Sequence, residues 1–91
     1  MNVDWQQKIT QEHIFTQTAE SLRNQRDVVL GSTSWLVERH RDEIESAMAT
    51  TLSAGQYSDL QAYRQQLRDL PSATGWPYID IPTPPSWLQQ P

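Results

Sequence analysis

His13 and His40 are the chain's two imidazoles and the first candidates for acid–base or metal chemistry. Neither stands in an H-E-x-x-H pattern, where two imidazoles one helical turn apart share a metal. His40-Arg41-Asp42-Glu43 groups an imidazole with two carboxylates, but consecutive helix positions point in different directions and do not converge on one ion. His40 falls on an apolar face and reads as a hydrogen-bonded core histidine. The serines lack the G-x-S-x-G context of a nucleophile elbow, and three scattered glycines cannot form a phosphate loop. Glu43 and Glu45 lie on a charged helix surface, where solvation is the plain role. There is no cysteine, so thiolate catalysis, thiolate metal sites and disulfides are excluded. No catalytic residue, metal site or cofactor is expected.

Recognition chemistry is better represented. Arg64 and Arg68 are like charges at i,i+4, a spacing that calls for an acceptor to offset their repulsion. A guanidinium suits carbonyls, carboxylates and aromatic faces. The acceptor is either this chain's own C-terminal tail or a partner protein. Trp35 and Tyr63 sit at helical positions that serve either core or interface. Trp76 and Trp87 lie in a segment that holds all six prolines of the chain, from Pro71 onward. Ordinary disorder is poor in aromatics, so such a segment has to dock on a surface. Trp87, past Pro84-Pro85, has few sequence neighbours to pack on and is assigned to a partner. The candidate partner-binding set is therefore Trp35, Tyr63, Arg64, Arg68, Trp76 and Trp87.

The elements that position these residues read as all-α, in one small domain of residues 1–91. It comprises an N-terminal extension (1–9), a helical scaffold (10–70) and an extended proline- and aromatic-rich tail (71–91). The scaffold is a helical hairpin or a three-helix arrangement. From about Thr10 to Leu30 no proline or glycine intervenes, and Phe15, Ala19, Leu22, Val29 and Leu30 share one face. Arg26 lies on that stripe and either snorkels or meets a carboxylate. Gly31 has the position of a left-handed cap, with Ser32-Thr33-Ser34 poised to cap a second helix over about Trp35–Met48. Val37, His40, Ile44, Ala47 and Met48 form that helix's apolar stripe. Arg39–Glu43 and Arg41–Glu45 are supporting i,i+4 pairs, and Thr50-Thr51 marks the exit. Ser53 and Gln56 have the spacing of a capping box. Tyr57, Leu60, Tyr63, Leu67 and Leu70 then form the stripe of a further helix, ended by Pro71 and Gly75. Proline spacing makes the remainder extended.

Composition narrows the function classes. Only 36% of the 91 residues are hydrophobic, and eleven acidic against seven basic side chains give a net charge of −4. A chain this small buries only about 60–65% of its unfolded surface, leaving little room for a preorganised catalytic site. An acidic chain with one lysine lacks the clustered cations that phosphate neutralisation requires, so no nucleic-acid partner is expected. Its longest apolar runs, such as Trp35-Leu36-Val37, are far too short to span a bilayer, so no membrane partner is expected either. A soluble, cytosolic product is the resulting expectation.

Several blocks of the sequence resemble the small phage tail assembly chaperone proteins. Arg26-Asp27-Val28-Val29-Leu30 followed by Ser34-Trp35 is similar to that family's R-D-x-x-L … D-W opening, with Ser34 in place of Asp. Glu38-Arg39-His40-Arg41-Asp42-Glu43 looks like a variant found in the group. Tyr63-Arg64-Gln65-Gln66-Leu67-Arg68-Asp69-Leu70-Pro71 resembles its Y-R-x-x-L-R-D-L-P core. Gly75-Trp76-Pro77 and Ile81-Pro82-Thr83-Pro84-Pro85 resemble its G-F-P … W-P-x-P ending, with Ile81 where Trp is frequent. The third block and the proline tail also look like the C-terminal part of tail fibre assembly proteins. The resemblance runs from about Arg23 to Pro85.

The resemblance implies a non-enzymatic assembly factor whose partner is a phage tail or tail-fibre protein. It implies action in the bacterial host cytoplasm during assembly, or in the virion tail if the protein stays with the particle. A structural adaptor of the fibre or baseplate is the alternative, and an enzyme accessory or hydrolase a third. An apolar stripe left uncovered would favour a homo-oligomer.

Overall fold

The computed structural model describes the backbone of residues 3–88 and the side chains of residues 10–88. Two helices account for most of it. The first, α1, is 43 residues long, Val3–Glu45. It takes in most of the segment expected as an N-terminal extension and runs unbroken through Gly31. The hairpin is therefore the observed arrangement, and the expected helix end at Gly31 does not form. The hydroxyls of Ser32 and Thr33 donate back to the Val29 carbonyl at 3.0 and 2.8 Å, and that of Ser34 donates to Leu30 at 2.8 Å. Hydroxyls that bond i−3 or i−4 carbonyls cannot cap a new helix. Gly31 keeps helical geometry at a cost of about 1 kcal/mol relative to alanine. Continuity keeps Leu22, Thr33, Val37 and His40, all buried, in one helical register.

The exit of α1 also differs from the expected one. The Ala47 N–H donates to Ile44 O at 3.1 Å and the Met48 N–H to Glu43 O at 2.8 Å. Together with φ +55° at Ala47, this is a Schellman cap with alanine at the position usually given to glycine. Ala47 and Met48 consequently leave the apolar stripe, and Met48 is exposed. Glu43 is no idle surface carboxylate. It accepts the Thr51 N–H at 3.0 Å and the Thr51 hydroxyl at 2.9 Å, with Arg39 Nε 3.7 Å away. The two Thr51 hydrogen bonds, aided by Arg39 and His40, hold its carboxyl below the ordinary range. Of the two roles open to Arg26, the observed one is ionic, with Nε 3.1 Å from Asp27 Oδ1.

Helix α2, Ala54–Asp69, starts on the capping box. The Ser53 N–H donates to Gln56 Oε1 at 2.9 Å, and the Gln56 N–H donates to Ser53 Oγ at 3.1 Å. It runs antiparallel to α1, with Tyr57 beside His40 and Arg64 beside Leu30. Its inner face buries Leu60, Tyr63 and Leu67, and a 3-10 turn at Leu70–Ser72 closes it.

Two turns then reverse the chain. The Trp76 N–H donates to Ala73 O at 3.2 Å, and the Tyr78 N–H to Gly75 O at 2.8 Å across the cis Trp76–Pro77 bond. Past them the chain returns alongside α1 in the same direction. Tyr78 meets Phe15 edge to face at 6.2 Å, while Ile81, Trp87 and Leu88 join the cluster of Val37, Leu52, Leu60, Tyr63 and Leu67. Gly75 has φ +91°, and a Cβ there would lie 2.9 Å from Ile79 Cγ2. Gly75→Ala is expected to cost about 1–3 kcal/mol in urea denaturation, from backbone strain alone at the lower end and with the clash at the upper. An unchanged midpoint would mean that this reversal is not part of the folded unit.

The core cluster sits against the C-terminal half of α1, from Val29 to Val37. The radius of gyration is 18.4 Å, against about 12 Å for a compact domain of this length. The difference comes from the N-terminal part of α1, which reaches past α2 and is exposed from Thr10 to Gln17.

Candidate protein-binding surface

The two arginines of the Tyr63–Pro71 block separate in the fold. Arg64, on the inner edge of α2, donates through Nη1 to Leu30 O at 2.8 Å and to Thr33 Oγ1. Its Nη2 donates to Ser34 Oγ at 3.3 Å. Its acceptor lies on α1, neither in the tail nor outside the chain. Burial first, then Arg68 and Arg41, lower its pKa from the ordinary arginine value, which leaves the guanidinium charged at neutral pH. It fastens α2 to the hydroxyl-rich step after Gly31. Arg68 is exposed and donates to Gln65 Oε1 at 2.9 Å within its own helix.

The aromatics divide in the same way. Tyr63 is buried, and burial raises its phenol pKa above the ordinary value. Trp76 is half-buried with the Arg23 guanidinium 5.4 Å from its ring centroid. Trp87 has intrachain neighbours despite its terminal position. It packs half-buried against the core, and its indole N–H is buried without an acceptor. We expect Trp87→Ala to lower stability by about 2 kcal/mol, roughly 10 °C in melting temperature. Trp87→Phe, which keeps ring contact and removes the stranded donor, should match or exceed the parent. Equal melting of the alanine variant would instead return Trp87 to the surface. Trp35 is the most exposed of these four aromatics at 54%.

His40 is buried at 5% exposure, in the core as expected, but without the expected hydrogen bond at Nδ1. Its imidazole stacks on the Tyr57 ring at 3.9 Å and 13°. His13 stays at the surface of the projecting part of α1. Among the described residues, no group of three or more His, Asp or Glu is placed to hold a metal ion. No helix among them is long and apolar enough to cross a membrane.

Sequence reading passed over Val28, which is 65% exposed and seven residues from Trp35 on the same side of α1. The i,i+7 spacing was the available sign, hidden because Val29 and Leu30 fit the core stripe. Val28 and Val29 form one wall of an apolar groove whose other wall is Ile81, Pro82 and Pro84, with Tyr63 between them. The arrangement offers apolar contact area and aromatic anchors, the means of protein recognition.

Residues 19–86 match the family model described as phage tail assembly chaperone protein. No curated protein and no solved structure matches the chain.

Proposed function

The chain belongs to the phage tail assembly chaperone family, and from that premise we propose that it acts without catalysis, by covering an apolar surface on a tail or tail-fibre protein until assembly takes that surface up. The supporting observation is the large apolar side chains left on the outside of α1. Trp35 and Val28 are more than half exposed in a chain that is only 36% hydrophobic. Aromatic and aliphatic side chains on one side of a helix are the anchors that protein interfaces use. Within the sequence-derived set, Trp35 and Arg68 are exposed and are the contact residues of this reading, with Trp76 part-buried beside Arg23. Tyr63, Arg64 and Trp87 act indirectly, by holding the scaffold. A covered patch cannot associate head to tail with further copies of the tail protein, which is how premature filaments arise. The protein works in the host cytoplasm and needs no cofactor.

The test is co-purification of the tagged chain from phage-producing cells before and after particles form. A complex with a tail or fibre protein that is present early and absent from purified particles supports transient cover. A stoichiometric 10.5 kDa band in the particles would make the protein an adaptor. No tail protein at either stage would end the proposal.

A further inference from the structure

We infer that residues 79–88 form a displaceable strap, and that the seat beneath them takes an uncharged, proline-containing extended segment of the tail protein. This rests on the tail-assembly reading and adds to it a second surface, closed until the partner arrives. Among the described residues, no hydrogen bond or ion pair joins residues 76–88 to α1 or α2. The Trp76, Tyr78 and Leu88 N–H groups reach only Ala73, Gly75 and Pro85. Helix α2, by contrast, is fastened to α1 through the three bonds of Arg64. The strap is held by apolar contact of Ile81, Trp87 and Leu88 with the core, and apolar attraction is non-directional. A segment of like shape and polarity can therefore take its place. The turn before it is better fixed, with Pro77 fully buried, Tyr78 edge-on to Phe15 and Trp76 beside Arg23.

Trp87 makes the strap an imperfect occupant. Its indole N–H is buried without an acceptor, so the seated strap gives up a hydrogen bond that water would supply. Lifting the strap returns that donor to water. A partner segment without such a donor then fills the seat with no corresponding loss. Exchange between two copies of this chain would strand both indoles again, so a second copy gains nothing by it.

The chemistry of the seated strap shows what else fits. Residues 79–88 carry three prolines, which have no N–H to satisfy, and a single charge, Asp80, which is exposed. Facing the strap across the groove are Val28, Val29 and Tyr63, with Asn24 and Gln25, and no charged residue lines it. A charged side chain seated there would lose hydration without meeting a partner. Proline in extended geometry packs on an aromatic ring with little loss of chain freedom. Tyr63 holds the scaffold while the strap is seated and becomes a contact once the strap is exchanged.

The chain has no cysteine, so a reversible lock can be built. The full tagged chain carrying Asn24→Cys and Pro84→Cys, on opposite walls of the groove, is closed with a bis-maleimide that contains a reducible bond. It is offered to lysates of phage-producing cells, and captured tail protein is identified by mass spectrometry. The locked chain should capture at least tenfold less than the parent, and reduction should restore capture. The same two cysteines capped singly should capture as the parent does. Trp87→Ala, which loosens the strap, should capture several-fold more despite its lower melting temperature. Benzoylphenylalanine at exposed Gln25 should crosslink a proline-containing tail-protein peptide without charged side chains. Undiminished capture by the locked chain, or an equal loss in the capped one, overturns the inference. Weaker capture by a folded Trp87→Ala chain does so too, as does crosslinking to a second copy or to a charged segment. Each of these leaves the tail-assembly reading in place while the parent still captures a tail protein. No tail protein on the unlocked parent removes both.

Discussion

Leu67→Ala should be the most damaging single truncation in the molecule, costing about 2–5 kcal/mol. Leu67 and Leu60 have no exposed surface at all. The chain closes its core from three sides, with α1, α2 and the returning C-terminal segment each supplying one wall. Leu67 belongs to the one cluster these walls share, so a cavity there is left with close-packed neighbours that relax only in part. Domains of this length are stable by about 5–14 kcal/mol, so such a loss is a large share of the total. The expected result in urea is a midpoint cut by at least a third, or no folded baseline. A loss under about 1 kcal/mol would show that the C-terminal segment is not seated over α2.

Arg64→Lys should cost about 2–3 kcal/mol although it preserves charge. The guanidinium spans three acceptors on one turn of α1, namely Leu30 O, Thr33 Oγ1 and Ser34 Oγ. A single ammonium nitrogen cannot occupy both prongs of that fork. Hydrogen bonds from charged donors are worth about 1.5–3 kcal/mol each when broken. The Thr33 side chain, buried with its residue, would lose its charged donor without gaining water. Arg68→Lys is the internal control. Its one bond is to a neighbouring glutamine at the surface, and its expected loss is within about 0.5 kcal/mol. Equal denaturation midpoints for the two variants would show that Arg64 does not fasten the helices together.

These two residues also mark what could be read from the sequence. Leu67 lies on a stripe that periodicity reveals, and the capping box that starts α2 depends on residues three apart. The all-α class and the hairpin follow from such local patterns. The fate of Gly31 does not. Its Ser-Thr-Ser neighbours can cap a new helix or bond back to an existing one, and the arrangement that prevails is completed by Arg64, 31 residues from Thr33. The exit of α1 was equally hidden, because the left-handed position fell to Ala47 instead of a glycine.

The candidate site was legible by residue type and not by placement. The turns at Gly75 and Pro77 direct the C-terminal segment onto the chain's own helices. Trp87 thereby packs against the core, whereas Tyr63 is buried on α2 and Arg64 is bonded to α1. The exposure of Val28 depends on where α2 and the returning segment stop, which residue spacing does not reveal.

The 70 × 20 × 18 Å outline bears on how the subunit count is measured. A rod with an axial ratio near 3.5 diffuses more slowly than a sphere of equal mass. On a sizing column a monomer of 10.5 kDa should elute ahead of its place and imitate a dimer. Light scattering or equilibrium sedimentation, which weigh the particle irrespective of its drag, would give the true stoichiometry.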